Sequence, residues 1–131
     1  MGNGADTREA NGIEKMAAYE ILIKENIEYD IISQRVDKTR LDEIVTLMVE
    51  TVCTSRNTIR VASDDFPAEL VKSKLLKLDS THIEFVFDCS NENTTKIRNI
   101  RQYLLTVLFN APNTIDNYYT SLVNHDMHSG P

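Results

Sequence analysis

The chain contains 131 residues, of which 41% are hydrophobic and 26% are charged, and this composition is typical of one globular domain with a single core. The formal net charge of −6 argues against a domain that depends mainly on phosphate contacts, because such domains usually carry a positive balance. Only residues 51–110 have a positive balance, with eight basic and seven acidic side chains. Cys53 and Cys89 lack the close spacing of a zinc or redox motif, and the pattern favours buried thiols over a disulfide.

Three segments are predicted along the chain. Residues 1–12 are rich in Gly and Asn without a hydrophobic period, so we expect a linker or a disordered leader. Residues 13–124 are predicted to form a single helical domain, and residues 125–131 a polar tail. The first part of the domain is predicted to contain a helix over residues 13–26, a kink, and a short second helix over residues 27–35.

The clearest helical pattern follows a predicted capping box, in which Thr39 and Asp42 stand three residues apart. The apolar residues after it share one narrow arc, and this helix is predicted to run to about Cys53. The short run Thr58–Ala62 favours β structure. Because a single strand cannot form a sheet, we expect an extended connector there.

Two further helices are predicted in the middle of the chain. The first begins at Pro67, with N-cap candidates in Ser63–Asp65, and runs to Leu78. The second begins with another capping box, formed by Thr81 and Glu84.

The most apolar stretch is Lys96–Ala111, which as a helix is apolar over roughly 240° of its circumference. It is shorter than the about 20 residues of a membrane span, so we expect the central helix of a globular domain. Pro112 is predicted to end this helix, and Thr114 to cap a last one. The sequence therefore predicts an all-α fold, a compact bundle of about six helices.

Catalytic and metal-binding patterns are weak. His125 and His128 stand three residues apart, as some metal ligands do, but a solvated tail fits the terminal segment better. The sequence contains no nucleophile elbow, zinc-protease motif or glycine-rich phosphate loop. We therefore expect no enzyme activity, no metal and no cofactor.

Seven basic side chains are candidates for contact with nucleic acid or with a protein partner. The alternative for them is an ordinary solvated surface with scattered ion pairs. The candidates are Arg56, Arg60, Lys74, Lys77, Lys96, Arg98 and Arg101.

Several segments resemble a known family in their order and spacing. These segments are ENIEYDI (Glu25–Ile31), LDEIVTLMVETVC (Leu41–Cys53), PAELVKSKLLKL (Pro67–Leu78), HIEFVFDC (His82–Cys89), NTTKIRNIRQYLLTVLFNAPNTIDNYY (Asn93–Tyr119) and NHDM (Asn124–Met127). Together they are similar to the C-terminal domain of RepA-type replication initiators from plasmids and integrative elements of Gram-positive bacteria. The resemblance covers most of the chain and implies that an origin-binding winged-helix domain lies upstream.

That C-terminal domain is in turn similar to the helical C-terminal domain of DnaD, a primosome protein. The DnaD motif is a Tyr, an Ile four residues later and a Trp four residues after that. Here the corresponding residues are Tyr103, Val107 and Ala111. From this motif we expect a mainly structural role for Tyr103, Val107 and the neighbouring Asn110.

The resemblance implies an accessory domain that brings primase or a helicase loader to a replication origin. The alternative is a non-specific DNA-binding module that uses the basic side chains on phosphates. A third hypothesis, a hydrolytic or nucleotide-binding enzyme, has no motif to support it. We also expect a cytoplasmic protein without membrane contact, because the sequence shows neither a signal peptide nor an apolar span.

Overall fold

The computed structural model describes residues 3–93 and 99–129, with side chains described over residues 12–89 and 99–115. Within these residues the chain is mostly helical with one small antiparallel hairpin, which confirms the predicted all-α class. No helix in the described part of the chain has both the length and the apolar character needed to cross a membrane. The elements are α1 (Asn3–Asn26), α2 (Tyr29–Ile32), α3 (Lys38–Val52), β1 (Thr58–Val61), β2 (Asp64–Pro67), α4 (Ala68–Leu76), α5 (Ser80–Asn93) and α6 (Ile100–Ser129).

Helix α3 lies at the centre of the core, where it packs against α1, α4 and α6. The apolar arc predicted for it is confirmed, and burying an aliphatic side chain of this kind contributes about 1.5–3 kcal/mol. The five residues of the arc are each at most 2% exposed: Leu41, Ile44, Val45, Met48 and Val52.

Helix α6 connects most of the remaining elements, since it packs against α3, α4, α5 and β1. Its predicted beginning at Lys96 lies outside the described residues. Its predicted end at Pro112 is wrong, because α6 continues to Ser129. A proline inside a helix costs about 3 kcal/mol, and the burial of Ile115 just after it provides packing that offsets this cost. The buried residues before the proline are Leu104, Leu105, Leu108, Phe109 and Ala111.

The extended connector predicted over Thr58–Ala62 is instead the first strand of a β-hairpin. The two turn residues, Ala62 and Ser63, have φ values of 52° and 73°. Positive φ at both central residues is the geometry of a tight hairpin turn, although Asn-Gly is the usual sequence there. The hairpin does not stand alone, because Phe66 of β2 packs on Phe109 of α6 with ring centroids 4.8 Å apart.

The hairpin also changes the beginning of α4. The helix was predicted over Pro67–Leu78 with caps in Ser63–Asp65, but it spans Ala68–Leu76. Because the second strand ends at Pro67, the candidate capping residues lie in the turn and in β2. Pro67 itself occupies the N-cap position, without a side-chain hydrogen bond.

Both predicted capping boxes are wrong by two residues. Helix α3 is capped by Asp37, whose carboxylate accepts a hydrogen bond from the Thr39 N–H at 3.3 Å. In α5 the Asp79 carboxylate accepts from the backbone N–H groups of Thr81 and His82. The Asp79 N–H donates in return to His82 Nδ1 at 3.0 Å. Histidine thus takes the place that Glu or Gln has in the usual reciprocal cap.

The chain is helical from Asn3, which corrects the disordered leader predicted over residues 1–12. A helix that is already anchored by packing gains one hydrogen bond for each residue it adds, so it extends easily. The predicted kink is confirmed at Glu28, which has a φ of 55° and separates α1 from α2. Beyond the kink Ile32 is buried, whereas Ile31, predicted on the same face, is 53% exposed.

Candidate functional site

Three of the predicted basic residues meet in one cleft, which we call the arginine cleft. Arg56 and Arg60 come from the end of the α3–β1 connection and from β1, and Arg101 comes from the first turn of α6. The cleft has a volume of about 240 Å³. Three arginines along one concave surface suit an anion, because a guanidinium group offers several hydrogen-bond donors in a planar fork.

The three arginines differ in how far their charges are already satisfied. Arg101 forms an ion pair with Glu50, the one carboxylate among the described residues that line the cleft. Arg60 donates one hydrogen bond to the Ser63 carbonyl at 3.0 Å. Arg56 has no hydrogen-bonding or ion-pairing side-chain partner within the described part of the chain.

The other predicted basic residues do not line this cleft. The Lys74 ammonium lies 4.6 Å from the centroid of the Phe109 ring, an arrangement that favours a cation–π interaction. Lys77 is exposed at the C-terminal end of α4. Lys96 and Arg98 lie outside the described residues. Of the seven candidate basic residues, the structure therefore brings together Arg56, Arg60 and Arg101.

A second depression, which we call the α3–α6 groove, lies beside the arginine cleft and shares Leu47 and Arg101 with it. It has a volume of about 570 Å³, and its floor is formed by the apolar side chains of Leu47, Ile100 and Leu104. Asp42 and Glu43 of α3 lie along its rim. An apolar floor with a charged rim resembles the centre and edge of a protein–protein interface.

Local contacts hold the acidic rim in place. The Tyr29 hydroxyl donates a hydrogen bond to the Asp42 carboxylate. This hydrogen bond, with burial and the negative charge of Asp42, raises the pKa of Tyr29 to about 12. Glu43 pairs with Arg40 at 2.8 Å. Sequence reasoning missed this rim, because the helical pattern showed only that Asp42 and Glu43 face water.

Tyr103, Val107 and Asn110, which the sequence resemblance singled out, line a third depression of about 300 Å³ between α5 and α6. Tyr103 and Val107 are half-buried, and the Tyr103 hydroxyl donates to the Cys89 carbonyl at 3.3 Å. Asn110 donates from Nδ2 to the Thr106 carbonyl at 3.0 Å. Ala111 is fully buried, so a Trp at this position would have to displace core side chains.

Reactive groups are sparse in the described part of the chain. No group of three or more His, Cys, Asp or Glu residues there is arranged to hold a metal ion. Burial raises the pKa of the Cys53 thiol, although the charges of Lys15 and Lys72 act in the opposite direction. A thiol with a raised pKa is a poor nucleophile at neutral pH. The side chains of His125 and His128 lie outside those described.

The fold and these surfaces define a small helical domain with neighbouring cationic and apolar binding surfaces. The chain belongs to a family of unknown function (DUF6017), whose model matches residues 3–130. No curated protein and no solved structure gives a significant match to the chain.

Proposed function

We propose that this chain is the C-terminal accessory domain of a plasmid replication initiator, and that it recruits primase or a helicase loader to the origin in the cytoplasm. The proposal combines the sequence resemblance to RepA-type initiators with one structural observation, the α3–α6 groove. The groove offers an apolar floor beside exposed charged side chains. Such a surface fits a segment of a partner protein that buries apolar side chains and places polar ones at the edge.

The geometry favours recognition at this face, because the groove is formed by two packed helices. Leu47 and Leu104 are 3% and 2% exposed, so the core holds this part of the floor in place, and the half-buried Ile100 offers the larger accessible apolar surface. Thr46 is exposed on the groove wall, where a larger side chain would project into the space. Little reorganisation is needed on binding, which keeps the entropic cost of association low.

The test is direct binding of the purified chain to purified primase and to purified helicase loader, measured by biolayer interferometry. We expect one of them to bind, and Thr46→Arg to weaken that binding at least about tenfold by filling the groove. Glu69→Arg on α4 is the matched control, since Glu69 is exposed outside the groove. Binding of neither partner, or equal loss in both variants, would reject recruitment through this groove.

The arginine cleft favours the alternative function, a non-specific DNA-binding module. Three arginines line this one concave site, where the phosphates of a nucleic acid would find several hydrogen-bond donors. The two functions are separated by salt. Binding through phosphates weakens steeply as salt concentration rises, because counterions are released from the nucleic acid, whereas binding through the apolar groove does not.

A further inference from the structure

We infer that the arginine cleft is a phosphate-binding site that Glu50 keeps occupied until a phosphate displaces its carboxylate. The inference does not depend on recruitment of a replication protein, because it concerns a different surface and a different ligand. It gives the DNA-binding alternative a specific site, and it adds an internal competitor for that site.

The first argument is the local charge. Three arginines and one glutamate line the cleft, so its lining carries a net charge of +2 in a chain whose total is −6. Arg101 and Gln102 also place the first turn of α6 at the cleft. The N-terminal end of a helix carries a partial positive charge, which adds to the attraction for an anion.

The second argument is the place of Glu50. Its carboxylate is bound by Arg101, and both side chains remain about half exposed, at 42% and 54%. Exposed ion pairs of this kind contribute little to stability, so breaking this one costs little. A carboxylate and a phosphate present their oxygens to a guanidinium in similar geometry. Glu50 therefore occupies the position that an incoming phosphate oxygen would take.

The third argument is the spare hydrogen-bonding capacity of the other two arginines. Arg56 has no side-chain partner among the described residues, and its backbone N–H is tied to Thr54 Oγ1 at 3.3 Å. Arg60 uses one donor for the Ser63 carbonyl, and a guanidinium has five. The backbone of Arg60 is also held in β1, where it lies in register with Asp65 of the neighbouring strand β2. Both arginines therefore keep donors available for a ligand at the cleft.

The experiment is an NMR titration of the whole chain with sodium phosphate at constant ionic strength, following the backbone signals of residues around the cleft. We expect Glu50→Gln to bind phosphate about fivefold more tightly than the parent chain, because one negative charge close to the anion is removed. Arg56→Gln is expected to bind about fivefold more weakly, since a charge-assisted hydrogen bond is lost. Glu84→Gln is the matched control and should bind like the parent, because its ion pair with Arg35 lies outside the cleft.

A second arm identifies the source of the phosphate, using a fluorescently labelled 12-nucleotide single-stranded oligonucleotide over a salt series. A response of the oligonucleotide to Glu50→Gln and Arg56→Gln in the same directions would assign the site to a nucleic-acid backbone. A response of inorganic phosphate alone would assign it to a free phosphate group. If Glu50→Gln and Arg56→Gln both bind phosphate as the parent does, the inference is wrong. Failure of the protein-binding test leaves this result unaffected, so the two ideas can fail separately.

Discussion

The aromatic pair between Phe66 and Phe109 is predicted to anchor the hairpin to the helical core. The two rings are tilted at 45° to each other with centroids 4.8 Å apart, within the separation of about 4.5–7 Å that favourable aromatic pairs show. Phe109 is 5% exposed and Phe66 is partly buried. The other side chains of β2 are exposed, so this contact is the main attachment of β2 to the helical core, whereas β1 is also anchored by the buried Val61.

The perturbation is a double-mutant cycle with Phe66→Leu and Phe109→Leu. Leucine keeps most of the apolar volume, so the cycle isolates what the ring pair contributes beyond burial. We expect a coupling free energy of about 0.5–1.5 kcal/mol, the usual range for such pairs. Phe109→Leu alone should cost more than Phe66→Leu alone, because it also removes the ring beneath the Lys74 ammonium, worth about 0.5–1 kcal/mol at an exposed site.

The assay is equilibrium urea unfolding followed by circular dichroism, with the free energy of unfolding fitted for the parent chain, both single variants and the double variant. Phe87→Leu is the control, since Phe87 is 7% exposed in the core and no ring pair involving it is recorded within the described residues. Combining Phe87→Leu with Phe66→Leu should give additive losses. A coupling energy near zero between Phe66 and Phe109 would refute the claim that the rings hold the hairpin.

Three further predictions concern caps, the turn and pH. Asp79→Ala should lower the free energy of unfolding by about 0.5–2 kcal/mol in a urea titration, because the α5 cap is lost, whereas Asp79→Asn should cost less. Burial opposes the charged form of Asp79, but hydrogen bonds from Thr81 and His82 outweigh it and lower the pKa below its ordinary value. The cap's contribution should therefore be present above the pKa of the unfolded chain and be lost as pH falls through the lower folded pKa. Thermal melts should show that the stability difference between the parent chain and Asp79→Ala shrinks in acid, and a difference that stays constant or grows would contradict the lowered pKa. Ser63→Gly should stabilise the fold by up to about 1 kcal/mol, because glycine adopts a φ of 73° without strain, and a loss of stability would contradict the turn geometry. Tyr29 should ionise near pH 12, measured by phenolate absorbance with Tyr29→Phe to identify its signal. The free energy of unfolding should fall between the ordinary tyrosine pKa of about 10 and the folded pKa of about 12, because the unfolded chain loses this proton first. An ordinary pKa for Tyr29 would show that the hydrogen bond to Asp42 is absent.

Periodic burial was predictable from the sequence alone. The arc of α3, and the inward residues Ile83, Val86 and Phe87 of α5, are buried as the spacing indicates. These predictions succeed because burial of one face is a local property of a helix and repeats every 3.6 residues. The kink predicted between the first two helices is also present, at Glu28.

The errors occur where distant contacts override local preference. Thr58–Val61 becomes a strand because β2 pairs with it and Phe66 packs on α6, and neither contact is visible in a run of five residues. Helix α6 passes Pro112 because Ile115 is buried after it. The local rule gives the cost of a proline, but only the packed core supplies the compensating burial.

For the candidate site, too, some features follow from the sequence and others only from the fold. The sequence alone determined a helical domain, its main buried faces and seven candidate binding residues among the basic side chains of an acidic chain. It could do so because composition and periodicity are properties of the chain itself. Only the tertiary structure decided which charges meet. Arg56 and Arg60 are close in sequence, but Arg101 comes from a distant segment, and the packing of the hairpin and α3 against α6 places all three in one cleft with Glu50. Lys74 is turned onto the Phe109 ring instead. Electrostatic interactions depend on distance in space, and that distance is set by the fold.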